Sequence, residues 1–154
     1  MVSQADEQDT LLAIGFWANR VRPDLPIPQL LVAPLESESD RARIVAYLRG
    51  GSTIEVWRGW SHCRFDCGTR DEDMGHADLS DGRWVWPEGL AHYVERHGVV
   101  LPSAFVEHAR SHGFVCPPTS RARYRYADEA WITWALQRGA ATKDFTLPQL
   151  SWEV

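Results

Sequence analysis

Two cysteines and a set of histidines are the residues of this sequence whose types and spacing could do chemistry. Cys63 and Cys67 lie four residues apart, and Gly68 follows the second thiol, so the backbone can turn back sharply there. Thiolates and imidazoles are the ligands that zinc prefers, and tetrahedral sites commonly combine two cysteines with two histidines. The segment therefore predicts half of a metal site, and histidines elsewhere must supply the rest.

Two downstream pairs of histidines could complete this site. His92 and His97 are five residues apart, whereas His108 and His112 are four apart. Helical residues four apart point nearly the same way, while residues five apart diverge by about 140°. Helix geometry thus favours the second pair, but a predicted hairpin leads directly into the helix that carries the first. The predicted Zn²⁺ ligands are Cys63, Cys67, His92 and His97, with His76, His108 and His112 as alternates.

The number of protein ligands decides what such a metal would do. Four ligands close the coordination shell and make the ion structural, whereas an open position allows a metal-bound water to react. Cys63 could instead act as a nucleophile beside Asp66 and Glu88. The sequence leaves open whether the protein is an enzyme, and the enzymatic alternative is a small metal- or cysteine-dependent enzyme of hydrolase type.

Tryptophans and a short row of arginines are candidates for a binding surface. The chain has eight tryptophans, and alternation places Trp84 and Trp86 on one face of a predicted strand. An aromatic row that stays exposed can hold a partner chain, and three arginines on one face can hold an acidic group. The predicted binding-surface residues are Trp57, Trp60, Trp84, Trp86, Arg121, Arg123 and Arg125.

Length and charge bound the class of protein. The 154 residues, with a net charge of −5, fit a single compact domain over residues 1–154 and disfavour a nucleic-acid partner. No apolar run approaches the ~18 residues that a membrane span needs, and the acidic start lacks the basic residues of a secretory signal. The odd count of three cysteines predicts reduced thiols and a cytoplasmic location. Another protein is the expected partner.

The elements that must position these residues follow from hydrophobic periodicity. A strand is predicted over 53–60, and Asp81-Gly82 predicts the turn of a hairpin over 77–86. Residues 29–33 and the tail 142–154 are predicted to be extended or irregular. Helices are predicted over 4–20, 37–51, 87–97, 103–112 and 128–138. The predicted fold is α+β, with a small antiparallel sheet flanked by about five helices.

The middle third of the chain also carries a resemblance. The stretch from Asp81 to Tyr93, together with Cys63-Arg64 and Cys67-Gly68 upstream, resembles a family of small bacterial proteins of uncharacterised function. That resemblance implies no activity, but it directs attention to Cys63, Cys67 and His92. The leading hypothesis is a small adaptor-type binding module, analogous to an immunity protein and stabilised by structural zinc.

Overall fold

The computed structural model describes residues 10–34, 38–120 and 124–141, which form a mixed β-sheet with α-helices packed against it. The predictions for the tail 142–154, Arg121 and Arg123 lie outside these residues. The strands are β1 (Thr10–Ala13), β2 (Ser52–Val56), β3 (Ala77–Ser80), β4 (Trp84–Pro87) and β5 (Arg125–Ala127). The helices are α1 (Glu38–Arg49), α2 (Asp71–Met74), α3 (Leu90–His97), α4 (Ser103–Ser111) and α5 (Glu129–Gln137), with a 3-10 helix at Pro28–Leu31.

The sheet is mixed, which corrects the prediction of a small antiparallel sheet. Its strand order is β2-β3-β4-β1-β5. The predicted hairpin is confirmed, because β3 pairs antiparallel with both β2 and β4. The strand β1, however, pairs parallel with β4 and with β5. The α+β composition is therefore right at the coarse level, while the purely antiparallel description is wrong.

Strand direction brings distant parts of the chain to one edge of the sheet. Since β2 and β4 both run antiparallel to β3, and β1 runs parallel to β4, the carboxyl ends of β1, β2 and β4 share an edge. The loop after β2 carries both candidate thiols, and the helix after β4 carries two candidate histidines. The topology therefore places the two halves of the predicted site next to each other.

The helix predicted over residues 4–20 is wrong in the part that the structure describes, which begins at residue 10 and contains the strand β1. Leu11 and Ala13 are buried on one face of the sheet, and Leu12 packs against the larger core on the other face. A strand that is buried on both faces carries a continuous apolar run, which periodicity alone does not separate from a helix. Thr10–Ala13 lies between two parallel neighbours, and that tertiary pairing decides the conformation.

The main core lies between the sheet and the helices. Trp86 is fully buried; it packs edge-on against Phe105 of α4, and its Nε1 donates to the carbonyl of Leu48 in α1 at 3.0 Å. A second, smaller cluster that includes Val85 and Ile54 covers the opposite face of the sheet. The side chains of successive β4 residues thus enter different clusters, as the pleat of a strand requires.

Three predicted elements differ from those in the structure. The strand predicted over 53–60 ends at Val56, so residues 57–70 form a long loop before α2. Residues 28–31 form a 3-10 helix rather than an extended segment. The helix predicted from residue 87 begins at Leu90 because residue 87 ends β4. Every helix in the described part of the chain is too short or too polar to cross a membrane.

Candidate metal centre

Four side chains from the loop 57–70 and helix α3 meet at the carboxyl edge of the sheet. Cys63 Sγ lies 3.7 Å from Cys67 Sγ and 3.4 Å from His97 Nε2, and Cys67 Sγ lies 3.5 Å from His92 Nε2. One ligand atom from each of the four residues lies within 4.8 Å of all the others. The structure thus brings together the four predicted ligands, and the cluster could hold a metal ion.

A tight turn in the loop brings the two thiols together. The N–H of Asp66 donates to the carbonyl of Cys63 at 3.1 Å, and Asp66 takes the left-handed conformation with φ 48°. Gly68 follows the second thiol with φ 84°, a value that side-chain-bearing residues rarely adopt. The glycine after Cys67 therefore serves the sharp reversal of the backbone that the sequence indicated.

The end of helix α3 allows two histidines five residues apart to serve one site. His97 is the last residue of the helix, and Gly98 ends it in the left-handed conformation with φ 68°. The His97 ring stacks on Phe65 of the loop, with centroids 4.1 Å apart and planes 4° apart. The rings of His92 and His97 then lie 5.1 Å apart. Packing against the loop thus compensates for the divergence that an ideal helix imposes.

The phenol of Tyr93 anchors the loop on both sides of Cys63. Its hydroxyl accepts a hydrogen bond from the N–H of Arg64 at 2.9 Å and donates to the carbonyl of His62 at 3.4 Å. The Arg64 guanidinium also donates to the carbonyl of Ala18 at 2.8 Å. The backbone that carries the buried thiol is therefore held from α3 and from the segment after β1.

Burial and hydrogen bonding set the ionisation of the four side chains. Burial raises the pKa of the Cys63 thiol, whereas a hydrogen bond from the Thr69 hydroxyl lowers the pKa of Cys67. Burial lowers the pKa of His92 and of His97 below the ordinary histidine value. Both imidazoles are therefore neutral at pH 7, which is the form that binds a metal ion.

The imidazole of His62 lies beside the cluster, between two carboxylates. His62 contacts Asp66 through Nε2 at 2.6 Å and Asp71 through Nδ1 at 2.8 Å. These two hydrogen bonds raise the pKa of His62. The positive charge that the ring carries on protonation is thus balanced by two carboxylates within the loop and α2.

The structure places the three alternate histidines outside the cluster. His76 stacks on Trp60, with ring centroids 4.4 Å apart. His108 Nε2 lies 3.4 Å from Oδ2 of Asp81, and the ring of His112 lies 4.8 Å from that of His108. Helical spacing alone favoured His108 and His112, but the strand order brings the other pair to the thiols.

The predicted aromatic surface is divided between core and solvent. Trp84 and Trp86 are 7% and 0% exposed, which corrects their prediction as binding-surface residues. They point into the main core because that face of β4 is the one the helices cover. Trp57 and Trp60 are 55% and 51% exposed, in the loop after β2. Of the predicted arginine row, Arg125 lies in the described part of the chain and is exposed in β5.

A groove of about 480 Å³, which the sequence did not predict, lies beside the cluster. It is lined by residues that follow β1 and β2, by the last residue of β4 and by one residue of α3, so it lies at the same edge of the sheet. Its aromatic and basic lining residues are Phe16, Trp17, Trp60, His62, Arg64 and Tyr93. No sequence motif connects these segments, and the topology alone brings them together.

Comparisons of this chain with protein-family models, curated proteins and solved structures found no match. The resemblance of its middle third to a family of small bacterial proteins therefore stays a prediction. What the fold and the site define is a mixed α/β protein with a Cys₂His₂ cluster that could hold a metal ion.

Proposed function

We propose that this protein is a small binding module in which Cys63, Cys67, His92 and His97 hold a structural Zn²⁺ ion. The ion joins the loop 57–70 to the end of α3. Because the loop carries exposed Trp57 and Trp60, the metal fixes an aromatic surface that can engage another protein.

The spacing of the ligand atoms is the observation that carries the proposal. Zinc–sulfur bonds of about 2.3 Å and zinc–nitrogen bonds of about 2.0–2.1 Å give tetrahedron edges of about 3.8 Å between sulfurs and about 3.6 Å between sulfur and nitrogen. The corresponding separations here are 3.7 Å between sulfurs, and 3.4 Å and 3.5 Å between sulfur and nitrogen. These three separations match the edges of a four-coordinate zinc site, and the other three lie within 4.8 Å.

Four protein ligands favour a structural role over catalysis. They fill a tetrahedral shell and leave no position for a reacting water. The carboxylates suggested for a cysteine-dependent enzyme are engaged elsewhere: Asp66 contacts His62, and Glu88 accepts the backbone N–H groups of His76 and Ala77. These contacts favour a binding module, and measurements of zinc content and of cysteine alkylation distinguish it from the enzymatic alternative.

The zinc content of the purified protein tests the proposed site directly. Purified wild-type protein is expected to contain one zinc per chain by elemental analysis, and Cys67→Ser to lose most of it, because serine is a poor zinc ligand. Cys116→Ser is the matched control, since Cys116 is half-buried and contacts the carbonyl of Pro117. Protein prepared without chelator that holds no zinc would overturn the proposal.

A second measurement on the same samples separates the structural role from the enzymatic one. Zinc-bound thiolates are protected from alkylation, so iodoacetamide should label Cys67 slowly in the wild type and quickly after chelation. Rapid labelling of Cys63 in metal-free protein with no loss of folded structure would instead favour a nucleophilic cysteine. Cys116 serves as the internal reference because burial raises its pKa to about 11.

The hydroxyl of Tyr93 gives a further prediction. Tyr93→Phe removes the hydrogen bonds to the backbone on either side of Cys63 and is expected to lower zinc affinity about 10–100-fold, as removal of groups that orient metal ligands does. Competition with a chromophoric chelator measures this affinity. Tyr124→Phe is the control, because that hydroxyl contacts Thr119 and Ser120 rather than the metal loop. Equal affinities in the two variants would contradict the anchoring role.

A further inference from the structure

The groove beside the metal cluster is built from the same loop that the cluster holds. Trp60, His62 and Arg64 from that loop line it together with Phe16 and Trp17, which follow β1. Its volume of about 480 Å³ falls within the range of about 300–1,000 Å³ that small-molecule pockets occupy. Ligand crevices in open α/β sheets also lie outside the carboxyl ends of strands, where this groove is found.

The guanidinium of Arg64 brings an unbalanced positive charge to the groove. The side chain is half-buried, and its Nη1 donates to the carbonyl of Ala18 at 2.8 Å. It forms no ion pair with any residue that the structure describes. The nearby His62 differs, because Asp66 and Asp71 already balance its charge. A half-buried guanidinium with remaining donors suits a carboxylate, which it binds through two parallel hydrogen bonds.

The indole of Trp17 supplies a second, independent observation in the same groove. The side chain is 7% exposed, and its Nε1 is buried without an acceptor among residues 10–34, 38–120 and 124–141. A buried donor without a partner is unfavourable. The indole of Trp131, which lies against Trp17, instead donates to the carbonyl of Phe16 at 3.0 Å. Because Trp17 also lines the groove, its indole N–H can report on a ligand that binds there.

Aromatic side chains define the rest of the ligand. Phe16, Trp60 and Tyr93 line the groove, and Trp60 is still 51% exposed although its ring stacks on His76. Flat apolar walls favour a planar ring, which can stack against them with centroids about 4.5–7 Å apart.

We propose that this groove binds a small aromatic carboxylate, with the carboxylate held by the guanidinium of Arg64 and the ring against the aromatic side chains of the groove. The proposal goes beyond the binding-module proposal and does not depend on which metal the cluster holds. The volume favours a small molecule over a protein segment, and an acidic peptide is therefore an alternative outcome of the test.

Titration of ¹⁵N-labelled, metal-replete protein with benzoate tests the proposal, with the indole N–H signal of Trp17 as the readout. We expect a saturable shift with benzoate, and weaker binding of benzamide, which lacks the charge, and of acetate, which lacks the ring. A short acidic peptide is titrated in parallel. Tighter binding of that peptide at the same signal, or equal binding of benzamide and benzoate, would overturn the proposal.

Variants of Arg64 test whether its guanidinium binds the carboxylate. Arg64→Gln is expected to weaken benzoate binding roughly tenfold to a hundredfold, as loss of hydrogen bonds to a charged group does. Arg49→Gln is the matched control, since it changes the net charge equally but is exposed and paired with Glu95. Arg64→Lys keeps the charge but loses the two parallel hydrogen bonds of the guanidinium, so it should bind benzoate with intermediate affinity. This variant tests the assignment even if Arg64→Gln does not fold. Unchanged affinity in Arg64→Lys and Arg64→Gln would contradict the assignment, while zinc content reports separately on the metal site.

Discussion

Chelation of the proposed zinc ion should lower the melting temperature of this protein by about 8–16 °C. A ligand that binds the folded state at a thousand times its Kd stabilises that state by about 4.1 kcal/mol. In a chain of this size, each kcal/mol shifts the melting temperature by about 2–4 °C. Differential scanning calorimetry with and without chelator measures the effect, and the shift should grow with added zinc.

The loss of stability is expected to be local. Trp86 and Phe105 lie in a core that the helices and sheet build without the metal. The loop depends on the metal more strongly, because a bound ion would join Cys63 and Cys67 of the loop to the two histidines of α3. Hydrogen exchange should therefore accelerate at residues 61–68 after chelation, while the amides of β4 stay protected.

A ligand variant provides the control for this prediction. Cys63→Ser should melt at the lower temperature from the start and should show no further decrease with chelator. Cys116→Ser should respond to chelator as the wild type does, because Cys116 lies outside the cluster. A wild-type melting temperature that does not change on complete removal of zinc would refute the stabilising role.

The four residues of the cluster could be predicted from the sequence because two local signals agreed. The spacing of Cys63 and Cys67 before a glycine indicated a turn, and the hairpin at Asp81-Gly82 placed the next helix beside it. The helix geometry alone pointed to another pair of histidines. The stacking of Phe65 on His97 is a tertiary contact, so no reading of the helix by itself could have predicted it.

The largest error in the fold arises because burial on both faces of a strand removes the alternating pattern of apolar and polar residues from the sequence. Leu11 and Leu12 enter opposite sides of the sheet, so β1 was predicted as a helix and the parallel pairing was missed. The same ambiguity affected Trp84 and Trp86, because alternation shows that they share a face but not which face is covered. The groove could not be predicted for a different reason. Arg64 and Trp17 lie far apart in the sequence, and only the strand order brings both to the lining of one groove.

Replacement of Asp81 by alanine is expected to destabilise the protein by about 2–6 kcal/mol, a large part of the stability of an ordinary domain. This carboxylate is 6% exposed and connects the hairpin to α1. Its Oδ1 accepts the N–H groups of Arg83 at 2.8 Å and Trp84 at 2.7 Å, and its Oδ2 accepts the hydroxyl of Tyr47 at 2.6 Å. Alanine would leave at least two buried donors, each worth about 1–3 kcal/mol, without a partner. Urea denaturation measures the change in unfolding free energy.

Two further variants distinguish this role from a general effect of removing an acidic residue. Asp81→Asn keeps an oxygen for the N–H groups of the turn, and the hydroxyl of Tyr47 can rotate to accept from the new amide, so a loss below about 1.5 kcal/mol is expected. Asp73→Ala removes an exposed carboxylate that pairs with Arg70 and should cost about 0.5 kcal/mol or less. If Asp81→Ala were no more destabilising than Asp73→Ala, the turn would not depend on this carboxylate. The hairpin, and with it the position of α3 beside the thiols, would then be held by core packing alone.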